Sequence, residues 1–365
     1  MVGSDKPMSL PPVASPIAAG ALFMNKYTPV NRIGGGSFGE VWLANDNAVG
    51  HTFAIKLLRP GVGVVDQLRE AKIGHAFNHN NLVRVHQADV LTDGRVVIAM
   101  DYLADGSITT LANSENFLPL PFALRAIIDV LQGLEHLHAS NFFHNDIKPE
   151  NILRGPLGQA KLGDYGIVGV SPDGRPVPAP AQYIFHAAPE TVAGNGIEAR
   201  TDVFQTGLTL FRLLVGLGEL RSRLASLGKP TYDAALAAGT LVRDQDFPPF
   251  IPRAVVRAVK KAIHPSPAER FQSALEMRRA LERLSFPGYW TVDATGQLVG
   301  EDVRHTYRFD YVTAAGTNAS VTAFKTNKAS GRETRIGAYT KRNLTKGTAE
   351  KLVSAFVKAV VEGRI

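Results

Sequence analysis

The stretch HNDIKPEN, His144 to Asn151, puts an aspartate, a lysine and an asparagine at positions 146, 148 and 151 of an otherwise apolar run. A carboxylate, a cation and a side-chain amide on one loop could orient a reacting group and neutralise charge on it. A second feature lies upstream in IGGGSFGEVWLA, where Gly34, Gly36 and Gly39 form a G-x-G-x-x-G pattern. Glycines let backbone amides approach phosphate oxygens closely. On its own the pattern also fits a merely flexible turn, and the dinucleotide-binding reading needs a helix directly after the glycines. Here the β-rich run Val41-Trp42-Leu43-Ala44 follows instead. Next comes FAIK, where Lys56 sits among Ala54, Ile55, Leu57 and Leu58. A lysine in such surroundings needs a counter-charge, and Glu70 in the helical stretch DQLREAKIGHAF is the natural partner.

These groups must be positioned by the elements around them. Residues 1–24, rich in Pro, Ala and Ser, read as a flexible leader. From residue 25 to 103 the pattern is short strands with one helix, and from 104 to 285 helices dominate. FALRAIIDVLQGLEHLHAS carries Leu124, Ile127, Ile128, Leu131, Leu134 and Leu137 on one stripe. ERFQSALEMRRALERL does the same with Phe271, Ala274, Leu275, Leu281 and Leu284. After SFPG, residues 286–365 read as a separate small domain. Its strands are YWTVDA, TYRFDYVTA, ASVTAFKTN and ETRIGAYT, and a helix from about Thr348 carries Leu352, Val353, Phe356, Val357 and Val360. The fold class expected is α+β: a β-rich lobe and a helical lobe with a cleft between them, then antiparallel strands and a helix.

Composition agrees with a globular protein. Of 365 residues 45% are hydrophobic and 20% charged, and there is no cysteine, which excludes disulfides and thiolate chemistry. No apolar run reaches the length of a membrane span and no secretory signal is evident, so a cytoplasmic location is expected. Residues 286–365 hold 12 Lys+Arg against 7 Asp+Glu, whereas the preceding 285 hold 28 against 26. The basic excess belongs to the tail, where a nucleic-acid or acidic partner is the expectation.

HNDIKPEN resembles the catalytic loop of serine/threonine protein kinases, and the glycine hairpin followed by FAIK resembles their ATP-covering loop. KLGDYG resembles the DFG motif, AAPE the APE motif, and RTDVFQTG the helix whose aspartate supports the catalytic loop. Together they span about Lys26 to Ser285, and the wording of the last helix is most similar to bacterial, Hanks-type members. The resemblance implies ATP with Mg2+ or Mn2+. Asp146 would accept the substrate hydroxyl's proton and Lys148 would neutralise the transferring group. Lys56 and Glu70 would form the ion pair at the phosphates, and Asn151 and Asp164 would bind metal. Ile33, Gly34, Gly36, Gly39, Val41, Ala54, Met100, Asp101 and Leu103 would surround ATP. Glu190 would pair with Arg270, and Asp202 would hold the loop from beneath.

Two positions depart from the family. Asn145 stands where regulated kinases have an arginine that binds a phosphate on the activation segment, which marks a non-RD kinase. The segment DYGIVGVSPDGRPVPAPAQYIFHAAPE contains no threonine, one early serine, Ser171, and one late tyrosine, Tyr183. Activity independent of activation-loop phosphorylation is therefore expected. Tyr183 also occupies the place of a threonine that contacts the catalytic aspartate and lysine. The leading expectation is a protein Ser/Thr kinase; the alternatives are a pseudokinase scaffold and a kinase of small molecules or RNA. The tail's strands and helix resemble double-stranded-RNA-binding modules without the first helix.

Overall fold

The structure is a computed structural model that describes residues 15–36, 39–59, 64–111, 116–181, 183–313 and 318–365. It divides into two compact units. The first holds the described residues up to His75 together with Arg84–Tyr102, the second Ala76–Val83 and Leu103–Ile365.

In the first unit the elements are β1 (Tyr27–Gly36), β2 (Gly39–Asp46), β3 (His51–Leu58), α1 (Val64–Ala76), β4 (Val85–Val90) and β5 (Val96–Asp101). The strands form one antiparallel sheet in the order β1-β2-β3-β5-β4. Strand alternation gives it two apolar faces. Phe53, Ile55 and Leu57 cluster with Val97, Ala99 and Tyr27 on one side, and Leu58 with Val96, Ile98 and Ala71 of α1 on the other. The flexible-leader reading needs correction for its last ten residues. Ile17 and Phe23 join the first of these clusters, and Phe23 bridges to Tyr27, because the sheet face opposite α1 has to be covered. Residues 1–14 of that leader lie outside the described residues.

The second unit continues with α2 (Leu120–His138), β6 (Phe142–Phe143), β7 (Ile152–Arg154), β8 (Ala160–Leu162), β9 (Gly169–Val170), α3 (Pro189–Val192), α4 (Ala199–Val215), α5 (Glu219–Leu227), α6 (Lys229–Ala237), α7 (Arg253–Ala262) and α8 (Ala274–Glu282). Every residue of α4 from Thr201 to Leu214 is buried, so this helix forms the axis of the lobe. The stretch Ala76–Val83 belongs here and not to the β-rich lobe: Phe77 packs edge-on against Phe142 at 5.0 Å, and Val83 N–H donates to the Leu162 carbonyl. The last helix begins at Ala274, later than its apolar stripe suggests, because Pro267–Glu269 form a 3-10 turn and the Ser273 hydroxyl caps Glu276 N–H.

Residues 286–365 also belong to the second unit. Their elements are β10 (Tyr289–Val292), β11 (Leu298–Glu301), β12 (His305–Thr313), β13 (Asn318–Asn327), β14 (Glu333–Arg335), β15 (Lys341–Thr345) and α9 (Lys346–Val361). The sheet runs β10-β11-β12-β13-β14, with β15 also pairing β13. Phe356 of α9 anchors it, ringed by Trp290, Tyr307, Phe309 and Tyr339 at centroid distances of 5.3 to 6.4 Å. Phe122 of α2 meets Tyr289 edge-on at 6.4 Å, which ties this sheet to the helical lobe. Among the described residues no single helix is long and apolar enough to cross a membrane.

Candidate active site

The first unit carries the glycine hairpin and the lysine. β1 and β2 pair up to Gly36 opposite Gly39. Gly39 has φ +149°, and a Cβ there would lie 2.1 Å from the Leu57 carbonyl, so the fold itself demands glycine. A Cβ at Gly34 would meet only Val41, at an ordinary 3.7 Å. Among the described residues nothing requires a glycine at position 34, which suits close approach by a ligand. Ile33 beside it is 42% exposed.

Register places Lys56 between Val41 on β2 and Ile98 on β5, and Ala54 opposite Met100. Lys56 shares the sheet face that α1 covers, and its Nζ lies 2.6 Å from Glu70 Oε1, with the two side chains 9% and 11% exposed. Asp101 ends β5. Its N–H donates to the Arg84 carbonyl, while its carboxylate meets His86 at 2.8 Å.

The second unit holds the loop. Asp202, buried on α4, accepts the N–H of His144 and of Asn145 at 2.8 Å each and also meets the His138 ring at 2.8 Å. Two loop amides and the His138 ring at the end of α2 thus share one carboxylate, which fixes the backbone just before Asp146. Asp146 is itself 2% exposed. Lys148 Nζ donates to both its oxygens, at 2.9 and 2.8 Å, and Asn151 Nδ2 donates to Oδ2 at 2.8 Å and to its backbone carbonyl at 2.9 Å. The β7–β8 hairpin pairs Ile152 with Leu162, and Gly163 N–H donates to the Asn151 carbonyl. This register sets Asn151 and Asp164 at the same hairpin end, with Asp164 in the left-handed region at φ +68°. An amide oxygen and a carboxylate at one hairpin end suit a hard divalent cation. Leu103, also in this unit, accepts Gly106 N–H at its carbonyl.

The activation segment is tied to the lobe along its length. β9 pairs with β6, and Val177 exchanges backbone hydrogen bonds with Ile197. Asn145 Nδ2 donates to the carbonyls of Ile167, at 3.3 Å, and Ala181, at 2.8 Å. Ser171 is buried, and its hydroxyl donates to the Arg175 carbonyl at 2.8 Å. The hydroxyl that Tyr165 adds donates to the Val83 carbonyl at 2.8 Å. Glu190 and Arg270 meet through two hydrogen bonds of 2.7 Å.

Several participants were not singled out from sequence. Gln205 of α4 accepts Ile147 N–H and donates to the Asn145 carbonyl, bracing the loop from the helix below. His186 donates from Nδ1 to the Ile147 carbonyl at 2.7 Å and accepts at Nε2 from Arg212, which forks onto Glu150 at 3.1 and 2.7 Å. Burial, then the Arg212 cation, pushes the His186 pKa well below its ordinary value, so the ring is neutral. Burial likewise lowers that of His144. Tyr183, which the sequence did single out at the place of a threonine contacting the catalytic aspartate and lysine, lays its ring over Lys148 Nζ, 4.3 Å from its centroid, and burial raises the phenol pKa. Only a polar residue at an apolar helical position, Gln205 or Arg212, could have signalled this network.

Residues 27–277 match the protein kinase domain, and the chain belongs to that family. It is a domain of the bacterial, Hanks-type class. Its relatives include the serine/threonine-protein kinase PknB of Mycobacterium leprae, 27% identical over 71% of this chain and 43% of that protein. PknF of Mycobacterium tuberculosis is 29% identical over 73% of this chain and 57% of the relative. PknD of Chlamydia trachomatis is 28% identical over 74% of this chain and 33% of the relative. The chain thus matches roughly a third to just over half of each relative's length.

Proposed function

We propose that the chain is an ATP- and Mg2+-dependent serine/threonine protein kinase, with Mn2+ as an alternative ion, whose activity does not require a phosphate on the activation segment. The observation that carries this is Asp146, buried and held at both oxygens by Lys148 and Asn151 above the Asp202 support. In this reading Asp146 orients a protein hydroxyl and takes its proton, and Lys148 offsets charge on the transferring group. Asn151 and Asp164 would hold the divalent ion, which neutralises phosphate charge when bound. Lys56, kept in place by Glu70, would meet the phosphates from the first unit. The names of the bacterial relatives support serine and threonine as acceptors.

Phosphate independence is supported by the Asn145 amide, which ties Ile167 and Ala181 without any charge, and by the buried hydroxyl of Ser171. The test is incubation of the full chain with labelled ATP and Mg2+, wild type against Asp146→Asn. Label on itself or on a general acceptor protein, lost in the variant, is expected. Nucleotide binding without transfer would favour a pseudokinase scaffold, and label reaching only small molecules or RNA would favour the third class.

A second reading concerns the basic tail. Arg332, Arg335, Lys341, Arg342 and Lys346 are exposed around β14 and β15. We propose that this edge binds a polyanion, with nucleic acid as the first candidate. Salt-dependent binding of RNA or DNA by the full chain, weakened by Lys341→Ala with Arg342→Ala, is expected. Binding of acidic proteins alone would replace that reading.

A further inference from the structure

Tyr183 is an aromatic group at the reacting residues to which the kinase reading assigns no task. Its ring covers the Lys148 ammonium at 4.3 Å, and Lys148 in turn grips both oxygens of Asp146. The Lys148 and Asp146 side chains are only 13% and 3% exposed. The ring is backed by Phe185 at 5.3 Å and His186 at 5.6 Å, and a turn closes as His186 N–H donates to the Tyr183 carbonyl at 2.9 Å. Nearby, Ala181 is exposed and Ile184 is 39% exposed. A cation held under an aromatic face is attracted by the ring quadrupole and loses contact with water on that side.

We propose that Tyr183 is a positioning residue that shields the Lys148–Asp146 pair from bulk water, so that the phosphoryl group goes to a protein hydroxyl and not to solvent. This rests on the kinase reading above. The suppressed reaction is hydrolysis. A water oxygen bonds to the γ-phosphorus of ATP, and the bond from that phosphorus to the β–γ bridging oxygen breaks, its electron pair leaving with ADP. The water's proton passes to Asp146 and then to solvent, and the product is inorganic phosphate. An incoming acceptor segment has the bulk to move a ring whose chain neighbour Ile184 is exposed; a single water molecule does not.

The test uses the full chain with ATP and Mg2+. Phosphate release without any acceptor protein is compared with phosphate incorporated into casein. Tyr183→Ala is expected to raise the ratio of release to incorporation about tenfold, the scale of a desolvated cation–aromatic contact, while Tyr183→Phe leaves it near wild type. A nucleotide-free readout runs beside it: the rate at which an acylating reagent modifies Lys148, followed by mass spectrometry, should rise in Tyr183→Ala and not in Tyr183→Phe. Tyr183→Leu, read the same way, replaces the alanine variant if that fails to fold. An unchanged ratio together with unchanged Lys148 reactivity overturns the proposal. A folded wild type that neither releases nor transfers phosphate would overturn the kinase reading, and the acylation rate would still decide the shielding.

Discussion

The side-chain amide of Asn145 lies 2.8 Å from the carbonyl oxygen of Ala181, 36 residues further along the chain. The same nitrogen reaches the Ile167 carbonyl at 3.3 Å, so one neutral group joins the loop before Asp146 to both ends of the central activation segment. Asn145 sits at φ +63°, a conformation that asparagine and aspartate tolerate better than most residues.

Asn145→Asp keeps the size and the backbone tolerance but points an acceptor at two carbonyls. It should loosen the segment more than Asn145→Ala, which leaves the carbonyls unsatisfied at a cost of about 1–3 kcal/mol. Hydrogen exchange across residues 167–181 reports the change. Equal protection in both variants and wild type would show that the amide does not hold the segment.

Arg270 is 1% exposed and forks onto Glu190, and it also donates to the backbone carbonyls of His264, Pro265 and Arg200. Breaking such a buried pair on one side leaves a stranded charge, so Arg270→Ala should cost about 3–5 kcal/mol in chemical denaturation. Arg270→Lys restores the charge but not the planar fork and should recover only part of that loss. A change below about 1 kcal/mol for Arg270→Ala would put the pair among ordinary surface bridges.

How much of this was legible in the sequence depended on whether a residue's task is local. The short apolar run around Lys56, buried on both faces, and the helical stripe around Leu131, buried on one, declared their elements. β11 and β15 escaped notice for the opposite reason: LVGE is short and carries a glycine, and KRNLT is almost wholly exposed, so neither alternates. The loop and its glycines were legible because their chemistry needs fixed spacing. The bracing from Gln205 and the His186–Arg212–Glu150 chain were not, and for Tyr183 only the position beside the catalytic aspartate and lysine was, not the stacking of its ring on Lys148. They join residues tens of positions apart through contacts that only the folded lobe creates.

His186 gives the lobe a defined response to acid. Burial first, and Arg212 second, hold its pKa well below the ordinary 6.5. An unfolded chain takes up the proton near pH 6.5, whereas the native ring refuses it. The stability this group contributes is therefore complete above that pH and is lost as pH falls below it toward the depressed native value. Buried His144, lowered chiefly by desolvation, acts in the same direction. The melting temperature should decline between pH 7 and 5. His186→Gln, whose amide can still both donate and accept, should make the slope shallower by up to about 1.4 kcal/mol per pH unit. An identical slope in wild type and variant would exclude His186 as a contributor.

The Lys56–Glu70 pair tests whether an ion pair in the first unit serves the reaction or only the fold. At 2.6 Å and about nine-tenths buried, it is expensive to break from one side. Lys56→Met should therefore both destabilise the unit and reduce phosphoryl transfer, by about a hundredfold or more if the cation meets a phosphate. The two effects separate in the double variant. Adding Glu70→Gln to Lys56→Met removes the carboxylate that the first change left behind, so stability should partly return. Transfer should not, because the missing cation is still missing. Glu70→Gln alone keeps the ammonium but not its anchor and should fall between wild type and Lys56→Met in activity. A double variant that regained activity in step with stability would make the pair a structural strut and remove Lys56 from the phosphate-binding group.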